Sequence, residues 1–222
     1  MTTATVLTVA AAAGFASGSL PFGYLAGKMR GIDIRQHGSG NIGATNVIRV
    51  LGKGIGIPVF ILDLLKGLLP CLLVRQWTGG LGVSATVASL AVILAGLGGI
   101  FGHVFTPWLK FKGGKGVATA AGVLLGITPV AMGAALLVWL AFFFTTRYVS
   151  LASIAAAITV PLALAVQMQR NHLWDGPLLG FGILIAVLVV LRHRANISRL
   201  IAGREPKSGG CKSPTPAAPP EA

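Results

Sequence analysis

Six stretches of this chain are apolar enough, and long enough, to settle its solvent before anything else is read. They cover residues 4–27, 54–76, 82–105, 116–146, 149–168 and 176–191. A helix needs about 20 residues to cross about 30 Å of hydrocarbon. Inside a bilayer the backbone must satisfy its own hydrogen bonds, which a helix does and an open sheet does not. The fold class expected is therefore an all-α integral membrane protein. Composition closes the alternatives. Only 10% of residues are charged and the mean hydropathy is +0.81, whereas a soluble domain carries about 25% charge and a disordered chain is polar.

The fourth stretch decides the number of crossings. Residues 116–146, as one helix, would run about 46 Å, which is too long without a steep tilt. Thr128-Pro129 lies near its middle, and proline favours a break. With one crossing there, the Lys and Arg residues divide almost evenly between the two sides. With two, only Arg75 and Arg170 lie outside and fifteen basic residues lie inside. The excess of Lys and Arg in cytoplasmic loops selects the second. This predicts seven transmembrane helices, at about 4–27, 54–76, 82–105, 116–127, 129–145, 149–168 and 176–191. The N-terminus is outside and the C-terminus cytoplasmic. The fourth helix is too short to cross alone, so it is expected to be partial or shielded. No charge precedes Lys28, so the first stretch lacks the basic start of a cleavable signal. Residues 1–202 form one polytopic domain. Residues 203–222, rich in Pro, Gly, Ser and Lys, are expected to be a disordered cytoplasmic tail.

That arrangement gathers every polar constellation on one face. The formal net charge is +13. In a soluble protein this would suggest nucleic acid; here the charges flank apolar runs, so anionic lipid or phosphate ligands fit better. The two cysteines, Cys71 in an apolar run and Cys211 in the tail, form no disulfide framework or metal motif. No metal and no cofactor is expected.

The densest constellation is Gly38-Ser-Gly-Asn-Ile-Gly-Ala-Thr-Asn-Val-Ile-Arg49. Its glycines (Gly38, Gly40, Gly43) let backbone approach a ligand, and successive free N–H groups suit an anion. Arg49 can fork onto a phosphate; Ser39, Asn41, Thr45 and Asn46 offer polar partners. The second is Lys110-Phe-Lys-Gly-Gly-Lys-Gly-Val-Ala-Thr119. Gly113, Gly114 and Gly116 open a helix whose free amides and dipole favour an anion, with Lys112 and Lys115 adding charge. It is not a nucleotide P-loop: Leu109 stands where that motif needs Gly, and Gly116 follows Lys115 where it needs Ser or Thr. The first segment also fits a plainer role as an ordinary cytoplasmic loop with its share of positive charge, and the second as a basic anchor at the membrane surface. Ser150, after Arg147, is a candidate ligand or simply a helix cap. His193 and Asn196 lie in Arg192-His-Arg-Ala-Asn-Ile-Ser-Arg199. His193 is a proton donor, a phosphate ligand, or a dipole partner at a helix end. Asp63 and Lys66, at i, i+3 inside a span, read as a structural ion pair bracing the loop. His103 reads as interfacial support.

Absences narrow the chemistry. None of the four histidines is followed five residues later by Asp; those positions are Ile42, Trp108, Pro177 and Ser198. This excludes the common glycerolipid acyltransferase signature. Apart from Glu221 near the end of the tail, the only carboxylates in the cytoplasmic segments are Asp33 and Glu205, so a conventional carboxylate base is hard to find.

These motifs, together with Arg147-Tyr-Val-Ser-Leu-Ala-Ser-Ile154 and His193-Arg-Ala-Asn-Ile-Ser-Arg-Leu200, resemble the PlsY family of bacterial acyl-phosphate:glycerol-3-phosphate acyltransferases. The resemblance covers nearly all of residues 10–204. It implies a multi-pass inner-membrane enzyme with its active site facing the cytoplasm. Such an enzyme transfers a fatty acyl group from acyl phosphate to the 1-hydroxyl of glycerol 3-phosphate. Lysophosphatidic acid and phosphate result, with no cofactor. By matching positions, Ser39, Arg49, Lys115, Ser150, His193 and Asn196 are the implied catalytic residues. The implied phosphate-binding set is Gly38, Gly40, Asn41, Gly43, Thr45, Asn46, Lys112, Gly113, Gly114 and Gly116. Its partners are the two phosphorylated substrates and the lipid bilayer; no nucleic acid is implied, and a monomer is expected. One departure is Ala195, where similar sequences carry Glu. The competing class is a membrane transporter of an organic phosphate, since broken helices aimed at anions also build transporter sites.

Overall fold

The computed structural model describes residues 1–209, and all regular structure among them is helical. The helices are α1 (Thr3–Gly18), α2 (Phe22–Lys28), α3 (Ala44–Leu51), α4 (Lys53–Gly80), α5 (Ala85–Val104), α6 (Val117–Ile127), α7 (Pro129–Thr146), α8 (Val149–Asn171), α9 (Gly176–Arg192) and α10 (Arg194–Ile201). Five spans are long and apolar enough to cross a membrane by themselves: α1 with α2, α4, α5, α7 and α8; α9 qualifies only together with α10, which bends from it by 57°. The outward faces match a lipid solvent. On α7 only Ala131 and Ala135 are buried, while Val130, Leu137 and Phe144 are about two-thirds exposed.

Small residues set how close the helices come. Without water to drive apolar surfaces together, membrane helices associate by close packing. A methyl group on Gly14 or Gly18 of α1 would collide with the backbone carbonyls of Ala95 and Gly99 on α5. Gly67 of α4 and Gly122 of α6 lie equally tight, against Thr119 O and Leu64 O. The short α6 is thereby held along α4. The break at Thr128-Pro129 falls where the sequence places it. Arg75 closes the inner end of α6 by donating from Nη2 to Gly126 O at 2.7 Å, meeting a carbonyl that a helix stopping inside the membrane leaves orphaned. Of the 11 residues of α6, Thr119, Ala120, Gly122, Val123, Leu124 and Gly126 are buried.

Three expectations need correcting. The first span is not one helix: α1 stops at Gly18 and α2 resumes at Phe22 after Pro21, whose missing N–H and ring interrupt the ladder. The connector expected over 28–53 is half helical, because Ala44–Leu51 carries an apolar face that buries Ala44 and Val47. The tail does not begin at 203. Arg204 N donates to Arg199 O at 2.8 Å, Ser208 N donates to Arg147 O at 2.8 Å, and Glu205 is buried between them. The remainder of that expected tail, with Cys211, lies outside the described residues.

Candidate active site

The second glycine-rich segment is an irregular strap between α5 and α6. Its geometry follows from two backbone hydrogen bonds: Gly113 N to Val104 O at 3.0 Å and Gly114 N to His103 O at 3.1 Å. The sequence reading used these two amides for phosphate, but they are already engaged. The amides of Lys115 and Gly116 have no acceptor among the described residues, and they open α6. Gly116 has φ +80°, a left-handed turn into the helix that suits glycine. Arg192, from the end of α9, donates to Gly113 O at 3.2 Å and to Gly114 O at 3.0 Å.

Lys115 leaves this strap and donates to Asn196 Oδ1 of α10. Asn196 Nδ2 donates to Glu205 Oε1 at 2.6 Å, and Ser150 Oγ, in the first turn of α8, donates to the same oxygen at 2.6 Å. Arg199 Nε donates to Glu205 Oε2 at 2.8 Å. Ser150 is therefore not the cap of α8; its hydroxyl is committed to a carboxylate. Ser150 of α8 and Asn196 and Arg199 of α10 thus meet at one anion, and Lys115 joins them through Asn196. Burial alone pushes the Glu205 carboxyl up, but the hydrogen bonds from Ser150, Asn196 and Arg199 outweigh it and hold the group ionised. Glu205 was missed as a site residue. The available signal was that it is a lone acid in a basic segment, following a motif that has Ala195 where a Glu is expected.

Electrostatics separate two bases in this cluster. Burial, with Arg199, Arg192 and Arg49 nearby, brings the Lys115 ammonium down to about 8 against the pull of Glu205. Burial, then the Lys115 charge, brings His193 down to about 4. His193 is thus neutral at pH 7. Its Nδ1 lies 2.8 Å from Val189 O, so that nitrogen carries the proton and Nε2 is left as an acceptor.

The first segment adjoins the second through a shared apolar cluster in which Ile34, Ile42, Ala44, Val47 and Val59 pack with Leu109. Asn46 shapes it. Its Oδ1 accepts from Ser39 N at 2.8 Å, and its Nδ2 donates to Asn41 O at 2.9 Å and His37 O at 3.0 Å. Asn41 Oδ1 accepts from Gly43 N at 2.8 Å. Both amide atoms of Asn46 are spent on bracing the loop, whereas Asn41 braces it only through Oδ1 and its Nδ2 has no acceptor among the described residues. Gly38 and Gly40 turn at φ +61° and +70°. The Gly40 amide is bonded to His37 O. The amides of Gly38 and Ile42 have no acceptor among the described residues. Ser39, Thr45 and Arg49 are exposed on this segment, and Arg49 is close enough to depress Lys115. Lys112 is exposed and unpaired among the described residues.

Residues 8–203 match the family described as glycerol-3-phosphate acyltransferase. The chain belongs to the glycerol-3-phosphate acyltransferase family. Relatives of that name include those of Geotalea daltonii, 45% identical over 92% of this chain and 97% of the relative, and Geobacter sulfurreducens, 47% identical over 85% and 90%. Among solved structures it is similar to PlsY (YgiH), an integral membrane glycerol 3-phosphate acyltransferase. The glycerol 3-phosphate form of that protein is 40% identical, covers 93% of this chain and 96% of its own, and has a TM-score of 0.79. Its lysophosphatidic acid form gives 0.78. The acyltransferase family thus agrees with the resemblance carried by the motifs, and the fold agrees with an all-α membrane protein.

Proposed function

We propose that this protein acylates the 1-hydroxyl of glycerol 3-phosphate with a fatty acyl group taken from acyl phosphate, releasing lysophosphatidic acid and phosphate. The observation that carries the reading is the charged, partly desolvated centre at Lys115, set beside a neutral His193 in a chain of this family. Both substrates bring phosphate, and Arg49, Lys115 and the open amides at Lys115 and Gly116 supply cations and oriented N–H groups. Ser39 is assigned to the substrate's hydroxyls. Asn196, Ser150 and Glu205 are positioning residues, because their hydrogen bonds are spent on one another and on Lys115.

In the transfer, the glycerol oxygen attacks the carbonyl carbon. The bond from that carbon to the phosphate oxygen breaks, and the hydroxyl proton must leave. A phosphate with its second pKa near about 6 is a stronger base than His193 at about 4. The proton is therefore assigned to a phosphate oxygen, and His193 Nε2 to orienting the hydroxyl. This accounts for a site without a free carboxylate base. Alignment and charge stabilisation then supply most of the rate. The acyl chain lies among the apolar helices. We place seven crossings in the inner membrane, with this site on the cytoplasmic side, on the distribution of Lys and Arg.

The test is purified protein with glycerol 3-phosphate and either palmitoyl phosphate or palmitoyl-CoA, following phosphate and lysophosphatidic acid together. Both products from the acyl phosphate alone are expected. Product from the CoA ester overturns the donor assignment. No product from folded protein, with uptake of glycerol 3-phosphate into sealed vesicles, makes it a transporter. Lys115→Ala is expected to lower kcat by about 10²–10³, and normal turnover in that variant removes the second segment from the mechanism.

A further inference from the structure

One polar cluster lies outside this chemistry. Asp63 and Lys66 on α4 approach at 2.7 Å with side chains 2% exposed. His103 on α5 places Nδ1 at 3.7 Å from the same Asp63 oxygen, and that nitrogen has no hydrogen-bond partner among the described residues. Charges in the middle of a span are costly. A buried ion pair is also weak evidence for stability, since apolar residues of similar volume often do as well. Three such groups together call for a reason beyond folding.

Their surroundings supply one. Lys66 Nζ donates to Leu20 O at 2.7 Å, a carbonyl at the break before Pro21, and Ser17 Oγ donates to Lys66 O at 3.0 Å. The pair is thereby fixed to the last turn of α1 and to the break that follows it. On the other side, the His103 ring lies flush against Gly114: a methyl group there would collide with Nε2. The His103 carbonyl is also the acceptor for Gly114 N. Next to Lys66 in sequence, Gly67 meets the carbonyl of Thr119 in the first turn of α6. The same stretch of α4 therefore holds the ring behind the strap and the helix in front of it. Lys115 is the next residue after Gly114.

We infer that Asp63, Lys66 and His103 form a positioning unit that sets the register of the Gly113–Lys115 strap, and with it the place of the Lys115 ammonium at the substrate phosphate. Asp63 orients the ring through charge, Lys66 ties Asp63 to the α1–α2 break, and the ring sets how near Gly114 comes. Arg192 clamps the same strap through the Gly113 and Gly114 carbonyls. The inference rests on the phosphate role proposed for Lys115.

The experiment uses His103→Gln, which leaves the Asp63–Lys66 pair intact, and Gly114→Ala, which leaves all three polar side chains intact. Kinetics are measured with palmitoyl phosphate and glycerol 3-phosphate across pH, beside the melting temperature. A displaced lysine is expected to cost about 100-fold in kcat/KM. Lys115 faces Arg49 on α3, Arg192 and His193 at the end of α9, Arg199 on α10, and Glu205; release from burial moves its titration upward. The alkaline limb of kcat/KM should therefore rise by half a unit or more in both variants. In His103→Ala, adding Gly114→Ala should cost less than it does in the parent, because the collision is gone. A lower melting temperature with parental kcat/KM and limb in both variants overturns the inference, leaving the cluster as a brace for folding alone. Should His103→Gln fail to fold, Gly114→Ala decides: parental kinetics refute the unit. An active Lys115→Ala refutes the phosphate role instead, so the two failures are distinguishable.

Discussion

The two glycine-rich segments carry three glycines each and are held in place by opposite means. The first, around Gly38–Gly43, is braced from within. Asn46 reaches back 5 to 12 residues to Asn41, Ser39, His37 and Ile34, so one short piece of chain organises itself. The second, Gly113–Gly116, has no comparable internal bond. It hangs from the end of α5 through His103 and Val104, and it is clamped by Arg192 and Asn196, 78 to 81 residues away. A locally braced loop folds with its neighbours. A remotely braced one exists only when the whole bundle is assembled, and it transmits distant changes to the ligand.

The largest expected effect breaks the remote brace. A methyl group on Gly113 would collide with the His103 carbonyl, a backbone atom that cannot swing aside. Gly113→Ala should displace the strap and lower kcat/KM by about 100-fold, in protein that still inserts and elutes as the parent does. Parental activity would mean that the strap tolerates a shift and that the clamp is incidental. The corresponding break in the first segment is Asn46→Ala. It strips the partner from one amide and three carbonyls at a residue 2% exposed. Each buried polar group left unsatisfied costs about 1–3 kcal/mol, so this variant should lose its loop and melt early. Here stability falls first and activity follows, and a variant that melts as the parent does would show that the loop is held by its apolar cluster instead.

This contrast also explains what the sequence discloses. The helices, the break at Pro129, and the polar segments between them follow from hydropathy, proline chemistry and charge, all of which are local. So does the pairing of Asp63 with Lys66 at i, i+3. Glu205 is different. Its one signal is a lone acid in a basic segment after a motif with Ala195 in place of Glu, which does not disclose a bond to Ser150, 55 residues away, and its surroundings of Pro, Gly and Lys read as a tail. The amides of Gly113 and Gly114 mislead for the same reason: their acceptors lie across a turn that no pattern announces. Asn41 and Asn46 were visible as residues but not as braces, because an amide serves backbone and ligand equally well. Remote hydrogen bonds leave no periodicity, and this is where the reading of the site departs from the structure.

A third test sharpens the comparison by pH. Lys115 is brought down to about 8, so it is charged below that pH and loses its proton above it. If the ammonium holds phosphate, kcat/KM, which reports the free enzyme and free substrate, should be level between about pH 6, below which the substrate phosphate takes up its second proton, and about pH 8, and fall about tenfold per unit above it. Arginine stays charged throughout, so Lys115→Arg should flatten that limb at whatever lower rate it retains. Because His193 is already neutral above about 4, the limb expected near pH 6 belongs to the substrate phosphate and should persist in His193→Gln. A limb near pH 6.5 that disappears in His193→Gln would return the proton to the imidazole.

The smallest effect separates the clamped from the unclamped part of one segment. Lys112 stands three residues before Lys115 and was read from sequence as a phosphate ligand. In the structure its amide is bonded to Leu109 O at 3.1 Å while its side chain is exposed. A surface cation of this kind draws anions in from a distance, an effect screened within about 10 Å at 0.1 M salt. Lys112→Ala should therefore raise KM about two- to threefold at low salt, leave kcat unchanged, and match the parent at high salt. A fall in kcat that persists in salt would place Lys112 at the substrate. The clamp would then extend over the whole basic motif, and the division between braced lysine and steering lysine would be lost.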